Sequence, residues 1–432
     1  YLTLGHTHRF NQDSALKTTV RYGHYERDLL ASAVRFTTAT SLSSLNANTP
    51  LSRSFKARRG ESDVLQVQSD YSNTFNWGGK KHAVLTGVDY YDDDAKRNQN
   101  YANTTPRPTT TVGTPDNGVG VADGRAPVQW NTFQARNVGL YFQDTISLTD
   151  TLKLVAGLRY DDFKASYRNP NGSLSSDRSD SLFSPRAGLI FQPDALSSYY
   201  LSYGTSYNTS GDTYQFSPGL SNSTARSANT PAEKSRNIEI GGKFELFERR
   251  ALLGVAAFYS EKYNERNTDP DNPGYLLSGK RHATGMEFNL AGRITPKWEV
   301  FFNHTWIPDA KIDQSNVARN STGTGAQVQG DRPGLTPKHS GSFWSTYAVT
   351  SSVRVGAGLT YRGKQNPEGQ RSYYASGFST VDAMVEYAFD EKTSLKLNVS
   401  NLFDRVYADA LYRGFYTPGA ARSVQVTLKT RF

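Results

Sequence analysis

The sequence contains no cysteine and only two methionines among its 432 residues. Without cysteine, disulfide bonds and thiolate metal sites are excluded. No run of about 18 apolar residues is present, which excludes a membrane-spanning helix. The motifs of a serine-hydrolase elbow, a His-Glu-x-x-His metal site and a Gly-Lys-Ser/Thr phosphate loop are also absent. The sequence therefore predicts no catalytic residue, no protein metal site and no cofactor.

Aromatic residues, by contrast, are abundant. Tyrosine occurs 26 times and phenylalanine 22 times, although only 36% of the chain is hydrophobic and the mean hydropathy is −0.62. Disordered chains are poor in aromatics, so this composition excludes disorder. It suits a β-barrel in a membrane, where alternate residues face lipid and tyrosines lie at the interfaces. The net charge of +9 is spread along the chain, so no nucleic acid partner is predicted.

Apolar and polar residues alternate along much of the chain. In "LKLVAGLRY" (152–160), Leu158 and its alternate neighbours share one face, while Arg159 lies on the other. The segments "SVRVGAGLTYR" (352–362) and "VDAMVEYAF" (381–389) follow the same rule. This alternation predicts half-buried strands. Many of them run to about 15 residues, which is longer than the strands of an immunoglobulin-like sandwich.

The connections between these strands fall into two classes that alternate along the chain. The short ones are predicted at 11–14, 77–80, 148–151, 295–297 and 389–393. The long polar ones are predicted at 97–131, 208–232 and 308–336, with shorter members near 169–180 and 409–419. Short turns at one end and long loops at the other are typical of an outer-membrane barrel. The predicted fold class is therefore an all-β, transmembrane, antiparallel up-and-down β-barrel, with about 17 strands seen.

Several segments resemble one family of outer-membrane proteins. "NLFDRVYADA" (401–410) resembles the Asn-Leu-Phe-Asp-x-x-Tyr segment of the TonB-dependent receptors, and "TPGAARSVQVTLKTRF" (417–432) resembles their closing strand. The further segments that resemble this family are "TPAEKSRNIEIGGKFEL" (230–246), "LSGKRHATGMEFNLAGRITPKWEVFFNHTW" (277–306) and "GLTPKHSGSFWSTY" (334–347).

This resemblance implies a 22-strand barrel of a Gram-negative outer membrane, of which 1–432 would be one N-terminally incomplete domain. The plug domain, the segment that contacts TonB–ExbB–ExbD and the first five strands are expected upstream of Tyr1. Phe432 would be the terminal aromatic by which the barrel-assembly machinery selects its clients. The other expected partners are outer-membrane lipid and lipopolysaccharide, and the expected state is a monomer.

The resemblance is greatest to receptors for ferric siderophores, in particular catecholates, with iron present only inside the ligand. Arginines and aromatic rings suit a planar, anionic, aromatic ligand. The candidate ligand-binding residues in or beside the long connections are Tyr101, Arg107, Trp130, Tyr214, Phe216, Tyr275, Arg319, Arg332, Arg371, Tyr373, Tyr374, Tyr412, Arg413, Phe415 and Tyr416. The alternation also turns Arg281 and Arg362 inward near the outer rim, and both are further candidates. For each residue alone, an interfacial girdle position or an ion pair with lipopolysaccharide or a loop carboxylate is an alternative.

Other functions stay open. A passive diffusion channel, a receptor for haem, cobalamin or a hydroxamate siderophore, and an adhesin or phage-docking barrel would share much of this pattern. His6 and His8 share a strand face and could bind a metal, but a polar lumen face is the preferred interpretation. Likewise "YDDDAKR" (91–97) is interpreted as a solvated charge cluster rather than a calcium site, and "GTGAQVQG" (323–330) as a polar loop rather than a nucleotide site.

Overall fold

The described part of the chain folds mainly into β-strands. A computed structural model describes residues 1–37, 42–98, 109–116, 118–119, 129–209, 232–265, 267–268, 276–277, 279–315, 327–412 and 415–431. The strands are β1 (Leu2–Arg9), β2 (Ser14–Phe36), β3 (Pro50–Trp77), β4 (Lys80–Asn98), β5 (Thr109–Thr111), β6 (Asn131–Ser147), β7 (Leu152–Arg168), β8 (Leu174–Phe191), β9 (Ser197–Asn208), β10 (Glu233–Leu246), β11 (Ala251–Tyr263), β12 (Asn267–Thr268), β13 (Leu276–Leu277), β14 (Lys280–Thr295), β15 (Trp298–Gln314), β16 (His339–Ala348), β17 (Val353–Arg362), β18 (Phe378–Ala388), β19 (Thr393–Ser400), β20 (Ala408–Tyr412), β21 (Phe415–Pro418) and β22 (Ser423–Thr430).

Eighteen strands form one antiparallel sheet, of which 17 have eight or more residues and β5 has three. Each long strand pairs with the next long strand along the chain, from β1 through to the pair formed by β19 and β22. The short pairs β12–β13 and β20–β21 are separate hairpins within long connections. The predicted all-β meander of about 17 strands is therefore confirmed.

The sheet has one apolar face and one polar face, as the alternation predicts. On β10, Ile238 and Ile240 pair with Tyr203 and Leu201 of β9, and all four side chains are at least 38% exposed. Glu239, between them, points to the opposite face. Exposed apolar side chains in such a continuous band are suited to lipid rather than water. We refer to the two sides as the apolar face and the polar face.

The two ends of the sheet differ as predicted. The connections 10–13, 78–79, 148–151, 192–196, 247–250, 296–297, 349–352 and 389–392 are short and lie at one end, the short-turn end. At the other end, the long-loop end, lie the strand ends that flank the connections 37–49, 99–130, 169–173, 209–232, 264–279, 315–338, 363–377 and 401–422. The connection predicted near 169–180 is shorter than expected, because β8 already begins at Leu174.

Strand length is underestimated by the alternation. β2 has 23 residues and β3 has 28, against the predicted limit of roughly 15. The additional strand residues include Glu26, Asp28 and Arg59. They are charged and interrupt the apolar pattern, but they keep the antiparallel pairing of β2 with β3. Hydrogen bonds between backbones do not require apolar side chains, so the hairpin continues past the apolar band.

The main buried cluster lies on the polar face, near the long-loop end of three neighbouring strands. Phe133 of β6 packs against Tyr167 of β7 with ring centroids 4.8 Å apart. Ala95, Ala135 and Ala165 complete the contact at small-residue positions. In the described part of the chain, no helix is long and apolar enough to cross a membrane.

Candidate functional site

An aromatic cavity of about 570 Å³ lies at the long-loop end, between the loop 363–377 and the connection 401–422. We call it the tyrosine pocket. Its aromatic and cationic lining residues are Tyr373, Tyr374, Phe378, Arg405, Tyr407, Tyr412 and Tyr416. Four of the tyrosines that the sequence predicts as ligand-binding, at 373, 374, 412 and 416, are thus brought together by the fold. Arg405, Tyr407 and Phe378 were not predicted.

Tyr407 is held in the wall of this pocket by stacking. Its ring centroid lies 4.3 Å from that of Phe378. Phe378 is the first residue of β18, and its side chain lies on the polar face. The backbone amide of Gly419 donates a hydrogen bond to the carbonyl of Tyr407 at 2.9 Å. A Cβ atom on Gly419 would lie 1.9 Å from Cζ of Tyr407, so only glycine leaves room for the ring. This local fit explains why residue 419, shortly before the last strand, is glycine.

Three cationic side chains lie at or beside the tyrosine pocket. The Lys364 ammonium is 3.4 Å from the ring centroid of Tyr374, and the Arg362 guanidinium is 5.5 Å from that of Phe378. Arg362 also donates a hydrogen bond to the carbonyl of Asp409 at 2.7 Å. The Arg405 side chain is exposed at the pocket wall. Positive charge is therefore present where the aromatic rings converge.

The wall formed by 401–422 depends on the side chain of Asn401, which is 4% exposed. Its amide nitrogen donates to the carbonyls of Arg405 and Ala420, both at 2.9 Å, and its carbonyl oxygen accepts from the amide of Arg405 at 2.8 Å. Its φ of 49° lies in the left-handed region, which asparagine tolerates better than most residues. The amide of Arg422 then donates to Asp404 at 2.8 Å. The Asn-Leu-Phe-Asp motif is thus a turn that ties both ends of the connection together.

Two predicted arginines bond to protein groups outside the tyrosine pocket. Arg371 donates one hydrogen bond to Asp331 at 3.1 Å and makes a second ion-pair contact with it, also at 3.1 Å, and so links the loop 363–377 to the connection 315–338. Arg332 donates to backbone carbonyls, including that of Ile307 at 2.6 Å. Burial lowers the pKa of Arg332 from its ordinary value. Both guanidinium groups already have protein partners, so a contact with a ligand would have to replace or extend them.

Arg281 lies on the polar face, as the alternation predicts, and forms ion pairs with Glu265 and Glu368. Glu265 is buried, and its burial raises the pKa of its carboxyl group, although the neighbouring cations Arg281 and Lys262 oppose this. Arg281 therefore connects β14 to the loop that also carries Tyr373 and Tyr374.

The remaining predicted residues are more distant or outside the described residues. Trp130 lies under the ammonium of Lys96, 5.0 Å from its ring centroid, and does not line the tyrosine pocket. Phe415 begins β21. Those that lie outside the described residues are Tyr101, Arg107, Tyr214, Phe216, Tyr275, Arg319, Arg413 and Phe432.

A second cavity, of about 510 Å³, lies on the polar face below the long-loop end and is lined by Arg186, Lys262 and Arg281 among others. A third, of about 530 Å³, continues from it toward the short-turn end and shares Arg186 and Asn237. Arg186 was not predicted as a site residue, although the alternation along β8 would have placed it on this face. The polar face thus carries further cationic side chains, on β8, β11 and β14.

The alternative sites proposed from the sequence receive little support. His6 and His8 pair with Thr18 and Leu16 and share the apolar face with Leu4, so the expected polar lumen position is wrong. The acidic run 91–97 lies inside β4, where successive carboxylates point to opposite faces. In the described ranges, no group of three or more histidine, aspartate or glutamate side chains could hold a metal ion. Part of "GTGAQVQG" lies outside the described residues.

Comparison with known proteins gives a consistent result. The family described as "TonB dependent receptor-like, beta-barrel" matches residues 1–402. The chain is 30% identical over 415 residues to the "Probable TonB-dependent receptor BfrD" of Bordetella pertussis, covering 88% of this chain and 54% of that protein. It is 25% identical over 470 residues to the "Catecholate siderophore receptor Fiu" of Escherichia coli K12, covering 100% of this chain and 59% of that protein.

Solved structures show the same fold. The crystal structure of the "Ferric-Catecholate import receptor Fiu" of E. coli K12, in its closed form, superposes with a TM-score of 0.85 at 24% identity. It covers 100% of this chain and 63% of that chain. The siderophore receptor PiuA of Acinetobacter baumannii gives a TM-score of 0.79 at 21% identity, with coverages of 99% and 63%. The chain therefore spans less than two thirds of the length of these relatives.

Proposed function

Because the chain belongs to the TonB-dependent receptor family, whose members are transporters of the Gram-negative outer membrane, we propose that it forms most of a siderophore receptor's barrel. In this proposal the long-loop end faces outward and binds a ferric siderophore, most readily a catecholate. The complex then crosses the membrane with energy supplied through TonB, ExbB and ExbD. The chain catalyses no reaction, and iron is present only inside the ligand.

The tyrosine pocket is the observation that carries this proposal. Catecholate rings are planar and electron-rich, and their ferric complexes are anionic. Five tyrosines and one phenylalanine offer faces and edges for stacking, at about 0.5–1.5 kcal/mol for each aromatic pair. Arg405, Lys364 and Arg362 provide positive charge beside these rings. A hydroxamate ligand lacks the aromatic rings and would use this lining less well.

Exposed apolar residues on the polar face favour a barrel whose interior is filled by a plug domain over a permanently open, passive channel. Phe301 of β15 and Leu252 of β11 lie on this face and are 56% and 48% exposed. Apolar side chains of this size are unfavourable in the wall of a permanently water-filled pore. We propose that a plug domain covers them, in a closed barrel of 22 strands to which this chain contributes one continuous domain, 1–432. The apolar face would contact outer-membrane lipid and lipopolysaccharide, and the receptor would be a monomer folded by the barrel-assembly machinery.

The proposal is tested by measuring ligand binding to the receptor. The receptor would be isolated as its own cell produces it and purified in detergent. Ferric tris-catecholate should bind more tightly than ferric tris-hydroxamate. Replacing Tyr374 and Tyr416 together by alanine should weaken catecholate binding by about 1–3 kcal/mol, or about 5- to 150-fold in Kd. Tyr361→Ala is the matched control, because this tyrosine is similarly exposed on the apolar face, away from the pocket. Tighter hydroxamate binding, or equal effects of the pocket and control variants, would contradict the assignment.

A further inference from the structure

Two histidines meet on the apolar face near the long-loop end. His304 of β15 and His339 of β16 are 35 residues apart in the sequence, and the register of the two strands sets them diagonally opposite each other. Nε2 of His304 lies 3.2 Å from Nδ1 of His339. Both belong to rows of aromatic rings: Phe302 stacks on His304 at 6.4 Å and Trp306 stacks on His339 at 6.3 Å.

The separation of these two nitrogens fits a shared metal ion. Zinc–imidazole bonds of about 2.0–2.1 Å place two ligand nitrogens about 2.9 Å apart at a right angle and about 3.4 Å apart at the tetrahedral angle. The observed 3.2 Å lies between these values. We propose that His304 and His339 form a two-imidazole site for a divalent transition-metal ion. Because His339 is the first residue of β16, the site lies at the long-loop end of the apolar face, where water can complete the coordination. Imidazole pairs favour Zn²⁺, Cu²⁺ and Ni²⁺ over Mg²⁺ and Ca²⁺, which prefer oxygen ligands.

The backbone prepares this arrangement. Gly341 pairs with His304, and a Cβ atom at Gly341 would lie 3.2 Å from Nδ1 of His304 and 2.4 Å from the carbonyl oxygen of Asn303. Glycine at position 341 therefore leaves space for the His304 ring next to the His339 ring. Because both histidines are on paired strands, the metal would bind a preformed pair and not order a loop.

Metal binding requires no net loss of protons. In the metal-free pair one imidazole donates an N–H to the lone pair of the other. When a metal ion occupies the site, both facing nitrogens must offer lone pairs, so the donor ring moves its proton to its other nitrogen. Both rings stay neutral, and the positive charge of the metal is the only charge added.

The other histidines with close polar neighbours are engaged differently. His82 lies 2.6 Å from Asp144, His282 lies 2.8 Å from Asp313, and His24 lies 2.9 Å from Asp63. Each of these has a carboxylate, not a second imidazole, facing a ring nitrogen. Within the described ranges, the pair formed by His304 and His339 is the one recorded contact between two imidazoles.

Trp306 supplies a built-in reporter for the test. The intact receptor in detergent would be titrated with Cu²⁺ alone and with Zn²⁺ alone, without siderophore. Bound Cu²⁺ near His339 should quench Trp306 fluorescence in a saturable, one-to-one manner, and Trp306→Phe should abolish the quenching but not the binding measured by calorimetry. His304→Ala and His339→Ala should each weaken binding by more than about tenfold. His6→Ala, on the same face of β1, should leave it unchanged.

A spectroscopic measurement keeps the proposal falsifiable if a variant folds poorly. Electron paramagnetic resonance of the Cu²⁺-loaded wild type should show nitrogen coupling from two equivalent imidazoles. A spectrum with one nitrogen or none, or binding that His304→Ala and His339→Ala leave intact, would show that the pair is only a hydrogen bond between two neutral rings. Siderophore binding is not needed for this experiment, so its result is independent of the proposed transport function.

Discussion

The side chain of Asn401 offers a sharp test of how the wall of the tyrosine pocket is held. Asn401→Ala removes three hydrogen bonds that join Arg405 and Ala420 to the start of the connection. Each is worth about 0.5–1.5 kcal/mol net. Alanine at a φ of 49° adds about 1–2 kcal/mol of backbone strain. The local cost should therefore be about 2.5–6.5 kcal/mol.

Asn401→Gly separates these two contributions. Glycine loses the same three hydrogen bonds but adopts a positive φ without penalty, so it should be less damaging than alanine by about 1–2 kcal/mol. The expected order of local stability is wild type, then the glycine variant, then the alanine variant.

Amide hydrogen exchange of the folded receptor, resolved by peptide, measures this directly. A cost of about 2.5–6.5 kcal/mol corresponds to at least about a 70-fold faster exchange in the connection 401–422. Peptides from β7, which is remote from this connection, serve as an internal control and should not change. Unchanged exchange in both variants would refute the role of Asn401, and equal exchange in the glycine and alanine variants would refute the argument from backbone strain.

Three further outcomes follow from the same geometry. Gly419→Ala should displace Tyr407, because the new Cβ atom would lie 1.9 Å from its ring, and should lower the free energy of unfolding in urea by about 1–3 kcal/mol. Gly204→Ala is the control and should cause no loss, because no atom lies within 4 Å of the new Cβ atom. Arg371→Ala should loosen the two facing loops by about 1–3 kcal/mol and speed their limited proteolysis, while the sheet keeps its protection. Asp194→Ala should lower thermal stability at neutral pH, and the effect should fade as the pH falls through the folded-state pKa of Asp194. Hydrogen bonds from a hydroxyl and two backbone amides lower the pKa of this carboxyl below its ordinary value of 3.8, so its contribution is present above pH 3.8 and is lost in acid.

Much of the sheet follows from the alternation of residue types, because a strand with one lipid-facing side leaves little freedom of register. β17 and β18 illustrate this: Leu359 pairs with Val381 on the apolar face, as their positions in the alternating segments predict. The short turns at 148–151 and 77–80 are also predicted closely, since Gly, Asp and Thr cluster there.

The parts that could not be predicted depend on contacts between distant segments. The alternation does not reveal the irregular pairing between Thr284 and Met286, which shifts the upper part of β14 against β15. The sequence also does not distinguish arginines that connect two loops, such as Arg371, from arginines beside the tyrosine pocket, because both groups consist of the same residue type. The pairing of His304 with His339 likewise depends on the register of two strands, so a metal site at these two residues could not be predicted from the sequence.

Uptake of iron by whole cells tests the central claim most directly. Cells that produce the complete receptor as their only route for a ferric catecholate would be given the complex labelled with radioactive iron, with and without functional TonB. The account predicts saturable uptake that requires TonB and falls when Tyr374 and Tyr416 are both replaced by alanine. Uptake that continues without TonB and rises linearly with ligand concentration would identify a passive channel and contradict the account.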